Sequence, residues 1–214
     1  DLHPAFVESV RPTDTAALDE VVRRKFRVRN SASVGDFALF VATKITEMVA
    51  NGGVRHLGTI DEVRSNGNVP YLFGSLVVEP SKPRLCYNCT KLNKGTVKRH
   101  VSLEGLDLIR REIVAHSSHD THGAVVDEQS GYLNSLLSEE SQKFFGFALF
   151  GHVFVYRHPP FGWANSCQLH QRNGLEFTGF VRSLGHTLTQ YIDDHCIMSS
   201  DGVEGGLRST YLFL

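Results

Sequence analysis

The sequence predicts an α+β fold, an antiparallel sheet backed by helices, and three observations lead there. Residues Phe37, Phe40, Val41, Ile45, Met48 and Val49 follow helical spacing. Short apolar runs meet across turn residues as hairpins, at Pro80–Pro83, at Gly151 and at a pair of acids near the C-terminus. Helix-type and strand-type segments alternate with no internal repeat or low-complexity tract, which is the pattern of helices on one face of an antiparallel sheet. With 214 residues, 41% of them hydrophobic, the chain can bury a real core in one large domain or in one domain of two lobes.

In chain order, residues 1–35 are polar and weakly periodic, an N-terminal lead-in. Asp36–Ala50 is the first helix, stopped by Gly52 and Gly53. Residues 54–70 are rich in loop signals, with Asn66-Gly67 and Pro70 as punctuation. Tyr71–Val78 is a strand-type run and Arg84–Cys89 its hairpin partner. Leu103–Val114 is an amphipathic helix with Leu106, Ile109 and Ile113 on one face. Ala124–Asp127 is a short buried strand ending in an acid, and Ser138–Lys143 a helical turn. Phe144–Phe150 and His152–Tyr156 make an aromatic hairpin, and Pro159-Pro160-Phe161-Gly162 breaks the chain. Trp163–Leu184 is a helix interrupted near Gly174 and Gly179. Thr187–Ile192 and His195–Met198 are strands flanking Asp193-Asp194.

The net charge of −1 is not that of a duplex-binding protein, but the charge is unevenly placed. Between Pro80 and Leu103 stand Lys82, Arg84, Lys91, Lys94, Lys98 and Arg99 with no acid among them. A second basic run comprises Arg23, Arg24, Lys25, Arg27 and Arg29. The four cysteines are irregularly spaced and form no disulfide framework; Cys86 and Cys89 are half of a zinc-ribbon pattern with no second pair. His116, His119 and His122 beside Asp120 lie in a polar stretch that reads as a surface loop. No apolar run approaches the ~20 residues of a membrane span, so no membrane partner is expected. The chain begins with Asp, the mark of a fragment or a processed piece, and its compartment is not legible.

The acids carry the chemistry. Tyr191-Ile192-Asp193-Asp194 sets two adjacent carboxylates on a tight turn between apolar strands, and Asp127 closes another strand. Like charges so placed repel unless cations neutralise them. Carboxylate oxygens are the ligands Mg²⁺ takes, and two such ions serve in-line phosphoryl transfer. Asp127, Asp193 and Asp194 are thus the candidate catalytic residues and metal ligands, for two Mg²⁺ ions that Mn²⁺ can replace.

At this point the chain resembles a reverse transcriptase, an RNA-directed DNA polymerase of the retrotransposon kind, over about residues 72–198. Val77-Val78-Glu79-Pro80-Ser81-Lys82-Pro83-Arg84 with Leu92-Asn93 is similar to the fingers block. Asp127 through Gly131-Tyr132 is similar to the first catalytic motif, Pro160-Phe161-Gly162-Trp163 with Asn165-Ser166 to the Pro-Phe-Gly segment, and Tyr191–Asp194 to the second catalytic motif. The hairpin at residues 146–151 leans towards the tyrosine-recombinase (DIRS-like) elements. The resemblance implies a right-hand polymerase: residues 36–126 fingers-like, 127–198 the palm, 199–214 a truncated tail, and no thumb. It implies a dNTP held by Lys82, Arg84, Tyr132, Phe161 and Gly162. There Lys82 and Arg84 meet the triphosphate, Tyr132 lies under the sugar, and Phe161-Gly162 lets backbone approach the nucleotide. The expected partners are an RNA or DNA template with its primer, and the thumb and RNase H portions would come from a longer chain.

Other residues depart from that pattern. Asn88 and Thr90 stand where the fingers block carries an Asp and an Arg, Cys167 where a Pro is common, and Glu128-Gln129 where Leu-Lys is usual. The chain ends 20 residues beyond Asp194. These departures keep a second expectation open, a catalytically inactive, truncated retroelement remnant that at most binds nucleic acid. Trp163 is as well explained by packing as by template contact, and His195 reads as a strand residue.

Overall fold

A computed structural model describes residues 2–10, 28–116, 122–128, 131–199 and 204. Most of the basic run at 23–29, the middle of the histidine stretch (His119 and Asp120) and the tail after residue 204 lie outside the described residues. The chain divides into two compact units, each built from two stretches of sequence. The first comprises residues 1–98 and 135–166, the second residues 99–134 and 167–214.

The first unit opens with helix α1 (Pro4–Val10), inside the stretch expected to be a mere lead-in. Its Phe6, Val7 and Val10 pack on the core. Helix α2 (Ala32–Asp36) also falls in that lead-in, and α3 (Ala38–Ala50) takes the expected helical stretch; together they bury Val34, Val41 and Ile45. The expectation of a loop over 54–70 fails over residues 54–65, where β1 (Val54–Thr59) and α4 (Ile60–Ser65) form. Only every second residue of β1 would need to be apolar on a half-buried face, and Arg55 and His56 mask that pattern. Helix α4 was legible: Thr59 and Glu62 form a reciprocal capping box, the sequence signature of a helix start.

Strand β2 (Leu76–Glu79) pairs antiparallel with β3 (Arg84–Tyr87), Glu79 opposite Arg84, so the expected hairpin forms with its first strand shorter than Tyr71–Val78. Helix α5 (Thr90–Gly95) follows. Strands β5 (Gly146–Leu149) and β6 (His152–Tyr156) form the aromatic hairpin, and β1 pairs with β6 to give the order β1-β6-β5. Both residues of its turn, Phe150 and Gly151, have positive φ (49° and 82°), the backbone that suits a tight hairpin. Phe147 is fully buried and stacks on Phe154 at 5.2 Å. Burial of such a side chain contributes about 1.5–3 kcal/mol.

The second unit holds α6 (Leu106–His116) and β4 (His122–Asp127), followed by a 3-10 turn at Gly131–Asn134. The chain then passes through α7 (Glu139–Gln142) of the first unit, capped by Ser138, and into α8 (Ser166–Ser183), β7 (Thr187–Tyr191) and β8 (Asp194–Ser199). Its sheet is antiparallel in the order β4-β8-β7, and Val181 of α8 packs with Leu188, Ile197 and Val126. On the apolar face of α6, Leu106 and Ile113 are exposed, at 82% and 52%, and Ile109 is half-buried. Two expectations are corrected here. Strand β4 is an edge strand of alternating exposure, not a buried one: Val125 is 72% exposed. Helix α8 runs unbroken through Gly174 and Gly179.

Candidate active site

Strand pairing assembles the acids. Asp127 ends β4 directly opposite Asp194, the first residue of β8, and Asp194 in turn faces Tyr191. Paired residues share a face, so Asp127, Asp194 and Tyr191 form one row across the sheet, while His195 and Gln190 point to the other side. The backbone N–H of Glu128 donates to the Asp193 carbonyl at 2.8 Å and ties the end of β4 to the turn.

The turn itself is Ile192-Asp193, and Ile192 has φ +55°. A β-branched residue in the left-handed region is strained, and persists only where its surroundings over-determine it. Two buried glutamines do so. Gln171 of α8 accepts the Ile192 N–H at 2.9 Å through its Oε1, and Gln190 donates to the Ile192 carbonyl at 3.1 Å. Gln171 also donates to the Gln190 carbonyl at 3.3 Å. The Gln190 N–H in turn donates to Glu104, which is held by both terminal nitrogens of Arg182 at 2.8 and 2.9 Å.

Beneath the turn lies a polar cluster that the sequence did not announce. His170, 3% exposed, sets Nε2 at 3.2 Å from Asp193 Oδ1 and 3.4 Å from Glu128 Oε2. His195, 2% exposed, sets Nε2 at 3.5 Å from the same Glu128 oxygen, and Asn134 also donates to Glu128. Burial raises the Asp193 pKa above its ordinary value; His170 opposes this, and Glu128, Asp127 and Asp194 add to it. Burial holds the His195 imidazole below its ordinary value, against the upward pull of Glu128. Tyr132 is half-buried with its ring 5.1 Å from that of His170, and burial pushes its hydroxyl up to about 12, with Cys167 and Asp193 contributing.

The residues singled out from sequence thus divide. Asp127, Tyr132, Asp193 and Asp194 belong to the second unit; Lys82, Arg84, Phe161 and Gly162 belong to the first. In the first unit Lys82 lies in the β2–β3 turn and Arg84 opens β3, both exposed. Phe161 is 69% exposed, and Gly162 has φ +96°, a conformation that requires glycine. Asn93 clamps that loop: it donates to the Gly162 carbonyl at 2.8 Å and accepts from Ala164 N–H at 2.9 Å. Trp163 donates to Thr96 at 2.9 Å and packs edge-on against Phe145, which makes it a packing residue. Cys86 and Cys89 are free thiols, Cys89 buried.

Carboxylate oxygens suit Mg²⁺, and a cation would relieve the repulsion that raises Asp193. Among the described residues, no group of three or more His, Cys, Asp or Glu is placed to hold an ion. The Asp193 carboxylate is turned to His170, and its Oδ1 is buried without a hydrogen-bond partner. The donor chemistry fits a divalent ion, provided that Asp193 leaves His170.

No family model matches the chain, and no curated protein matches it. Among solved structures, that of prototype foamy virus protease-reverse transcriptase superposes with a TM-score of 0.55 at 14% identity, covering 79% of this chain. The likeness is one of fold. It supports a mixed α+β arrangement compatible with a polymerase-like domain, and this chain spans 21% of that one.

Proposed function

We propose that the chain is the fingers and palm of an RNA-directed DNA polymerase, which joins deoxynucleoside triphosphates to a primer 3′-hydroxyl on an RNA or DNA template. The observation that carries this is the placement of Asp127 opposite Asp194, beside a strained turn bearing Asp193. Asp127, Asp193 and Asp194 would hold two Mg²⁺ ions. Bound there, the metals would acidify the 3′-hydroxyl and neutralise the leaving pyrophosphate. Exposed Arg84 offers a planar fork, and exposed Lys82 a point charge, to triphosphate oxygens. Gly162 allows close approach of backbone to a nucleotide. Tyr132, half-buried, would present its ring under the sugar. The foamy virus neighbour, by its name a protease-reverse transcriptase, supports this reading through fold.

One observation favours a second reading, an inactive remnant that at most binds nucleic acid: the Asp193 carboxylate rests on His170 and not beside Asp127 and Asp194 in a three-acid group. Primer extension on an RNA template with Mg²⁺ or Mn²⁺ separates the two. Extension by the wild-type chain that disappears in the Asp193→Asn, Asp194→Asn double variant supports the polymerase. A folded chain that binds primer–template without extending it, even when the palm is lengthened by its natural downstream sequence, supports the remnant.

A further inference from the structure

A second candidate site lies wholly within the first unit, which does not carry the acids. It is a cleft of about 550 Å³ between the end of α3, strand β1, helix α7 and the chain after β6. Val49, Val54 and Leu136 give it an apolar wall, and its polar groups are Arg55, Gln142 and Arg157 together with His56, Ser138 and Glu139. Such a volume is that of a small-molecule site.

The polar groups are complementary to one kind of ligand. Arg55 pairs with Val155 across β1 and β6, so Arg157, two residues on, leaves the same face diagonally. Arg55 Nε is buried without a hydrogen-bond partner, and its Nη1 lies 3.2 Å from Glu139, whose side chain is 85% exposed. Arg157 donates one N–H to the Gly52 carbonyl at 3.3 Å and, among the described residues, meets no carboxylate at ion-pair distance. Gln142 is 3% exposed, and its Nε2 donates to the Leu137 carbonyl at 2.9 Å. A carbonyl only accepts, so the amide orientation is fixed and Oε1 is left buried with no partner. Buried polar groups are normally paired, and these orphaned ones flank an open space.

We propose that this cleft binds a small organic oxyanion, a phosphomonoester or a carboxylate, carried on an apolar body with an adjacent N–H or O–H. The guanidinium donors of Arg55 and Arg157 take the oxyanion, Gln142 Oε1 accepts the neighbouring N–H or O–H, and Val49, Val54 and Leu136 cover the apolar part. Glu139 competes with the ligand for Arg55.

The test is calorimetric titration of the full chain with inorganic phosphate, 2-hydroxyphenyl phosphate and N-acetyl-leucine. One of the two organic probes is expected to bind at least about tenfold more tightly than inorganic phosphate, and which one does so assigns the oxyanion to phosphate or to carboxylate. Arg157→Gln should weaken that binding about tenfold, and Glu139→Gln should tighten it about threefold by freeing Arg55. Thermal melts show which variants are folded. Should Arg157→Gln not fold, the exposed Glu139→Gln decides alone, since a purely structural Arg55 would leave affinity unmoved. Absence of binding at about 10 mM, equal binding of inorganic phosphate, or an affinity unchanged by Glu139→Gln overturns the proposal.

Discussion

Asp193 is held between opposite demands. Its neighbours Asp127, Asp194 and Glu128 are carboxylates, and His170 stands against it at ion-pair distance, 3.2 Å. Its pKa in the folded chain lies above the unfolded value, so the folded state binds a proton the unfolded state gives up. Stability from this group is therefore greatest below the ordinary carboxylate range and declines as pH climbs through that range. Asp193→Asn removes the decline. Without divalent metal, the variant should match wild type at acid pH and melt about 2 °C higher at neutral pH, a small effect because the side chain is 35% exposed. Thermal melts at the two pH values check this; a variant that melts lower at neutral pH would show that the His170 contact outweighs the repulsion.

The element that aims Asp193 is helix α8, and Gly174 is its telling residue. A Cβ at Gly174 would collide with the amide of Gln190, the fully buried residue that holds the Ile192 carbonyl. Helix propensity alone predicts that Gly174→Ala stabilises by about 1 kcal/mol. Overpacking predicts the reverse, a loss of about 1–3 kcal/mol. We expect the loss, read as a lower urea midpoint; a rise would mean that Gln190 moves aside freely. The same residue shows what was legible in the sequence. The hairpins, helix α3, the acid-bearing strands and the helical turn capped by Ser138 announced themselves through periodicity and turn chemistry. Gly174 reads as a break because a glycine that admits a neighbouring side chain looks, in one dimension, like one that ends a helix; Gly179 has open space around it. His170, Gln171 and Gln190 carry no local signal, and Glu128 shows in the sequence only as a departure from the family pattern, since no local spacing connects the members of this cluster. Strand β4 was legible as a strand, but its exposure depends on its place at the sheet edge, which local pattern does not encode.

For the molecule as a whole, a net charge of −1 coexists with an exposed basic segment comprising Lys82, Arg84, Lys91, Lys94 and Lys98. Were these to meet phosphates of a bound primer–template, the logarithm of affinity would fall against the logarithm of salt with a slope of about −4. Replacing Lys91 and Lys94 by Ala should bring that slope about 2 closer to zero and leave the fold intact, since both are exposed. Fluorescence anisotropy across a salt series reads it, and a wild-type slope near zero would remove this segment from nucleic-acid contact. The interleaving of the two units has a consequence for how the protein is made. As a nascent chain leaves the ribosome, the first unit lacks its closing strands until residue 156 has emerged, by which point residues 99–134 of the second have already passed into solution. Vectorial folding, in which a finished N-terminal body precedes the next, is closed to it. No single proteolytic cut or gene truncation yields both units whole, so the chain must be inherited, expressed and refolded as one piece.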